Sequence, residues 1–237
     1  MTQYMKRQFS ILMIVSFALV QACGLDEPSI GPETSSADPF KVAINGEIDQ
    51  QPATKVTTDG FCTGDEVGVY VVNYDGELPG VLKVDKNQAD NVRFKYDGSG
   101  NWVSDYDIFY KDNDTKVDLY GYYPYAASMS SVEAYPHEIG RDQSKVAEDG
   151  HLSAYESSDF LWAKTEKVTP TASRVTLRFR HIMSSARIRF AKGDGWTDDA
   201  EFSTVSKEVI VMNTVRKTNV NLATGIVTTD GEAPLTG

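Results

Sequence analysis

"RVTLRFRHIMSSARIRFAK", residues 174–192, decides the fold. Val175, Leu177, Phe179 and Met183 share one parity, and Arg178 and Arg180 share the other. Successive side chains of a strand point to opposite faces, so this alternation marks a strand buried on one side only. After Ser184-Ser185 the parity flips: Ala186, Ile188 and Phe190 become the inward set, with Arg187 and Arg189 outward. Such a flip predicts two strands separated by a bulge or bend near Ser184. The four arginines could form an anion patch. Alternating with core residues, they read more simply as a wet face paired with the acidic excess.

Similar runs lie on either side. "FKVAINGEI" (40–48) puts Val42 and Ile44 on one face and ends in an Asn45-Gly46 turn. "DEVGVYVVNYDGE" (65–77) is apolar at both parities from Val67 to Tyr74, as for a strand covered on both faces, and closes at Asp75-Gly76. "NVRFKYDGSGNWVSDYDIFY" (91–110) reads as a hairpin: Phe94 and Tyr96 run in, residues 97–101 turn, and Trp102 begins the return. In "KVDLYGYYPY" (116–125), Val117 and Leu119 share one face, Asp118 and Tyr120 the other. Pro124 cannot donate to a ladder, so that strand ends there or lies on an edge. Residues 126–158 read as a long surface connection, and "SDFLWAK" (158–164) gives an apolar cluster of Phe160, Leu161 and Trp162. "KEVIVMNTV" (207–215) and "TNVNLATGIVTT" (218–229) add two more strands, the latter folding at Thr224-Gly225. No amphipathic helix beyond two turns follows the N-terminal apolar run. Short strands separated by Gly, Asn and Asp turns predict an all-β sandwich or barrel.

The chain has 237 residues and a formal charge of −11, with 12 Tyr, 10 Phe and 3 Trp. So many aromatics argue against disorder, and the acidity argues against nucleic acid as a partner. At the N-terminus, Lys6 and Arg7 precede an apolar run from Phe9 to Val20. As a helix it would rise about 18 Å, short of the roughly 30 Å hydrocarbon core, so residues 1–22 read as a signal peptide. Val20-Gln21-Ala22-Cys23 resembles the lipobox of bacterial lipoproteins, in which cleavage between Ala22 and Cys23 leaves a lipidated, palmitate-bearing cysteine as the first residue. With only Cys23 and Cys62 in the chain, lipidation of Cys23 leaves Cys62 as a buried thiol. Residues 23–39, rich in Pro, Ser, Gly and acids, read as the lipidated cysteine and a flexible linker. The acidic pair Asp26-Glu27 resembles surface-export signals of Gram-negative lipoproteins.

Catalytic groups are sparse. His137, His151 and His181 sit in no zinc or nucleophile motif. His181 shares the parity of Phe179 and reads as a hydrogen-bonded core residue. "DNDTKVD" offers Asp112, Asp114 and Asp118, and "DGSGN" offers Asp97, Ser99 and Asn101. Neither forms a twelve-residue calcium loop, so both read as solvated turns. No metal, no cofactor beyond the covalent lipid, and no enzymatic activity are expected. The tyrosines of "YGYYPY" could stack sugars or could belong to a core.

"TDGFCTGDEVGVYVV", "VDLYGYYPY", "SDFLWAK" and "VTLRFRHIMSSARIRF", in this order and spacing, resemble the N-terminal domain of fimbrillin-like proteins, the lipoprotein-derived pilus subunits of Gram-negative anaerobes. The resemblance implies a transthyretin-like antiparallel β-sandwich with Greek-key-type connections over residues 40–237. It implies export as an outer-membrane lipoprotein to the cell surface or fimbrium, and other pilin subunits as partners, with host proteins or glycans as further ones. In family pilins a protease removes the first strand and a neighbouring subunit fills the groove. Here the exchanged strand would include Lys41, Val42, Ala43 and Ile44. Family cleavage follows Arg or Lys near that strand, which leaves Lys41 or Lys55 as candidate sites, because no arginine lies between Cys23 and Val92. The family's second sandwich is expected to be absent, since this chain stops at "GEAPLTG", and a receiver that keeps its lipid would anchor or terminate a fibre. The rival expectation is a lipid-anchored carbohydrate-binding protein of a glycan-uptake system.

Overall fold

β2 (Glu66–Asn73) and β5 (Val117–Tyr123) lie side by side in the middle of a seven-stranded sheet, and their sequences explain the placement. Six consecutive residues of β2 and all seven of β5 are buried, which requires cover on both faces. Val67, Val69 and Val71 face one side, Tyr70 and Val72 the other. β-Branched and aromatic side chains suit such a pleated, doubly covered surface. β5 ends at Tyr123, just before Pro124.

The computed structural model describes residues 40–49, 60–145, 152–186, 188–196, 198–212 and 214–229. All lie in the compact unit Ala37–Gly237. The remaining large-sheet strands are β1 (Ile44–Ile48), β3 (Ala89–Tyr96), β4 (Trp102–Ser104), β7 (Leu161–Val168) and β8 (Val175–His181). Their order is β1-β8-β7-β5-β2-β3-β4. Neighbours are antiparallel except at one edge, where β1 runs parallel to β8. A smaller antiparallel sheet holds β6 (Tyr135–Glu138), β9 (Lys217–Asn221) and β10 (Ile226–Thr229) in the order β10-β9-β6. The β3–β4 hairpin turns where Asp97 accepts from the backbone of Ser99 and Asn101. β9 and β10 are joined at Gly225, whose φ of +69° suits glycine.

The large sheet is curled, so that β1 and β4, at opposite ends of its order, approach each other. Its inner face holds one apolar cluster: Val42 and Ile44, the valines of β2, Phe94, Trp102, Leu119, Leu177 and Phe179 among others. Its outer face carries a second cluster around Tyr70, Tyr120, Tyr122 and Phe160, covered by the small sheet through Val220 and Leu222. Leu161 of "SDFLWAK" points to the inner cluster, while Phe160 and Trp162 pack in the outer one.

Several expectations are corrected. The alternation of residues 174–181 forms β8, but the second half of the run does not continue it: Ile188 is 53% exposed and Phe190 47%. A strand needs a neighbour as well as a pattern, and the β7–β8 ladder reaches its last pair at Leu161 and His181. "KEVIVMNTV" is likewise no strand among the described residues, with Ile210 74% exposed. Between these stretches lies α2 (Asp199–Thr204), N-capped by the Asp198 side chain. Asn45-Gly46 is not a turn but part of β1. The supposed loose connection 126–158 supplies β6, α1 (Ala154–Ser158) with a Ser153–Glu156 capping box, and the buried Met129 and Val132. The sheets are not wholly antiparallel, because the first strand joins in parallel.

Candidate functional site

The first described segment, residues 40–49, closes the curl of the large sheet. On one side β1 follows β8 in register, from Ile44 opposite Val175 to Ile48 opposite Phe179. The Val175 amide donates to the Ala43 carbonyl at 2.8 Å, and the Asp49 amide donates to the Phe179 carbonyl at 2.7 Å. On the other side the segment meets residues 108–110. The Val42 amide donates to the Ile108 carbonyl at 2.7 Å and the Tyr110 amide to the Phe40 carbonyl at 2.6 Å. One extended stretch thus bridges two backbone edges that would otherwise carry unpaired donors and acceptors.

Its even-numbered side chains point inward. Val42 and Ile44 are each 1% exposed, and Ile48 packs part-buried on the same cluster. Burying residues of this size contributes about 1.5–3 kcal/mol each. The odd-numbered residues face outward, where Glu47 lies 3.7 Å from Arg178 and Lys41 pairs with Asp107 at 2.6 Å. The floor of the slot is aromatic. Phe61 meets Trp102 edge-on at 4.8 Å, Phe179 at 5.3 Å and Tyr123 at 6.0 Å, and Tyr96 lies 5.2 Å from Trp102.

Of the residues singled out in the sequence, Lys41, Val42, Ala43 and Ile44 all lie in this closing segment. Cys23, Ala22, Lys55 and His151 lie outside the described residues. Cys62 is exposed rather than buried, at the turn where its amide donates to Asp65. His181 is not a core residue: it is the exposed last residue of β8, with Nδ1 2.7 Å from the Asp159 carboxylate, whose hydrogen bond raises the imidazole pKa. His137 Nε2 lies 3.0 Å from the Ser158 carbonyl. Hydrogen bonds from Thr115 and Asp114 pull the Asp112 carboxyl down to about 2, and those from Asn101 and Ser99 lower that of Asp97. Both aspartates organise their own turns. Asp118 is buried, accepts from the Lys167 amide and lies 3.6 Å from the Lys164 ammonium. Among the described residues no group of His, Cys, Asp or Glu is placed to hold a metal ion.

Three of the four tyrosines of "YGYYPY" belong to the core, and Tyr125 is half-buried. Tyr120, Tyr122 and Tyr123 are 4%, 1% and 8% exposed, and burial pushes up the pKa of all three. A shallow groove borders Trp162, Lys164, Glu166, Ala223 and Thr224. One face of the Trp162 ring is taken by Arg180, and its Nε1 donates to the Leu222 carbonyl. Sequence reasoning missed Phe61, Trp102 and residues 108–110 as walls of the slot. Their apolar character was legible, but contact with residues 40–48 exists only once the sheet curls.

A two-sheet, all-β protein whose first described segment seals its inner core is the class defined by this geometry. Residues 54–236 match the fimbrillin-like family, and the chain belongs to it. It is 28% identical over 178 residues to Fim1C of Bacteroides ovatus, named as a candidate fimbrium tip subunit. That match covers 73% of this chain and 31% of the relative, so the chain spans about a third of the relative's length. Among solved structures, a candidate cell adhesion protein of Bacteroides ovatus superposes with a TM-score of 0.58 at 17% identity, covering 83% of this chain and 70% of that one. One from Bacteroides uniformis superposes with a TM-score of 0.50 at 16% identity, covering 82% and 67%. At these identities the likeness is one of fold.

Proposed function

We propose that this chain is a non-enzymatic subunit of a cell-surface fimbrium, held at the outer membrane by acyl chains on Cys23 and joined to neighbouring subunits by strand addition. One observation carries the reading: residues 40–49 complete the inner core while bridging two backbone edges. A segment so placed can be replaced by an extended strand from another chain, which would supply the same main-chain hydrogen bonds and fill the same apolar positions. Such a contact is head-to-tail and does not close, so it generates a filament. Cleavage after Lys41 would leave Val42 to Ile48 in place, whereas cleavage after Lys55 would free the whole segment. Lys55 is therefore the better maturation site. Family membership and the fimbrial and adhesion proteins among its relatives support a fimbrial role.

The test locks the segment. Asn45 and Thr176 are register partners, so an Asn45→Cys, Thr176→Cys chain can be joined by a disulfide. Immunogold labelling should decorate filaments in cells carrying the reduced chain and lose them when the bond is formed. Locked chains that still enter filaments would refute strand addition. Uniform label over the envelope in both states would refute the fimbrial role. Cys23→Ser should release the protein from membranes, and continued retention would refute the lipid tether.

A further inference from the structure

Resting on the strand-addition reading, we infer that the slot accepts only a strand with glycine at the position facing Trp102. The partner segment is then an extended stretch parallel to β8, apolar at the places of Val42, Ile44 and Ile48 and bare at the place of Gly46.

The geometry is steric. Gly46 lies between Ile44 and Ile48 on the inward face of β1, opposite Leu177 in the register. A Cβ there would stand 2.9 Å from Trp102 Cζ2, 3.0 Å from Cε2 and 3.2 Å from Nε1. Those are ring atoms, and the ring is not free to retreat. It is 8% exposed, with Phe61 packed edge-on at 4.8 Å and Tyr96 at 5.2 Å. Phe61 is itself held against Phe179 and Tyr123. Interiors are packed so densely that such a displacement passes to every neighbour. Gly46 does not need its conformational freedom, since it lies in a regular strand. What the site excludes is a side chain. Any occupant of the slot meets the same indole, because Trp102 belongs to β4, which is paired to β3 rather than to the closing segment. Apolar pockets alone would admit many alternating strands, whereas the indole rejects all but those with glycine at one place. The slot therefore reads a sequence as well as a shape.

The experiment uses the full chain with a site-specific protease sequence placed within residues 50–59. After cutting, residues up to 49 are held only by contacts. The probe is a fluorescent peptide of residues 40–49, FKVAINGEID, and the same peptide carrying Gly46→Val. The native peptide should exchange in, and the valine peptide should bind at least about fivefold more weakly, the lower end of what overpacking a core costs. A Trp102→Leu chain should narrow that difference. Equal binding of both peptides to the unaltered walls overturns the inference and leaves strand addition standing. Entry of neither peptide overturns strand addition, and the selectivity falls with it. Independently, Gly46→Val in the uncut chain should lower Tm by about 2 °C or more, and an unchanged Tm would overturn the steric argument.

Discussion

The inner cluster is built on Phe94, Leu119, Leu177 and Phe179, the outer one on Tyr70, Tyr122, Phe160 and Leu222, and their covers differ in kind. The outer cluster lies under a three-stranded sheet that brings its own ladder and is tied down by the Trp162 hydrogen bond to Leu222. The inner cluster is sealed along one seam by a single segment that pairs with two edges but belongs to no hairpin. A cover with its own ladder comes away only as a unit. A lone strand can leave by itself, at the expense of a few buried side chains.

The largest expected effect strikes both clusters alike. Phe179→Ala and Phe160→Ala, each removing a fully buried ring, should each cost about 3–5 kcal/mol in denaturant unfolding. Only Phe179→Ala should also speed proteolysis at Lys41, and equal acceleration by both would erase the distinction. Ile44→Ala is next: it should cost about 2 kcal/mol or more and release the closing segment, read as faster hydrogen exchange at the Val175 amide with little change at the Leu222 amide. Trp162→Phe should cost about 1 kcal/mol by removing the bond to the Leu222 carbonyl, and should leave Lys41 proteolysis unchanged.

The smallest effect concerns pH. The Asp159 hydrogen bond raises the folded pKa of His181 above its ordinary value. The pair's stabilisation is therefore complete below about pH 6.5 and is lost as pH rises through the raised folded value. For a half-exposed pair the loss should stay under about 1 kcal/mol. Comparing Tm across that range in the native and His181→Asn chains checks the sign. A native chain that gains stability relative to the variant as pH rises would contradict it.

Much of this architecture was legible where the signal is local. β2, the β3–β4 hairpin, β5 and the β9–β10 turn all follow from alternation, double-parity burial and turn residues. Alternation says which face a residue would take, not whether a neighbouring strand is present. That is why Ile188, Phe190 and Ile210 read as strand and core yet lie exposed. The same limit misread His181, whose parity was inward but whose position ends the ladder. Cys62 was expected to be buried only because lipidation accounted for Cys23; it lies at a turn, where its side chain faces solvent. As for the site, Val42 and Ile44 were legible as an apolar pair. Parallel pairing to β8 was not, because it joins residues far apart in the chain, Ile44 to Val175. Nor was the role of Gly46, which read as a turn residue until Trp102 was found against it.

The segment that seals the inner core is also the earliest of the described elements to be synthesised, and β8, one of its walls, is among the later ones. A chain that emerges in order therefore carries its own seal past the ribosome long before there is anything to close. The seam must wait for its most distant partner, which makes it a late event in folding. Once folded, the chain holds its own strand in the gap, so the proposed strand addition requires a vacancy to be made afterwards.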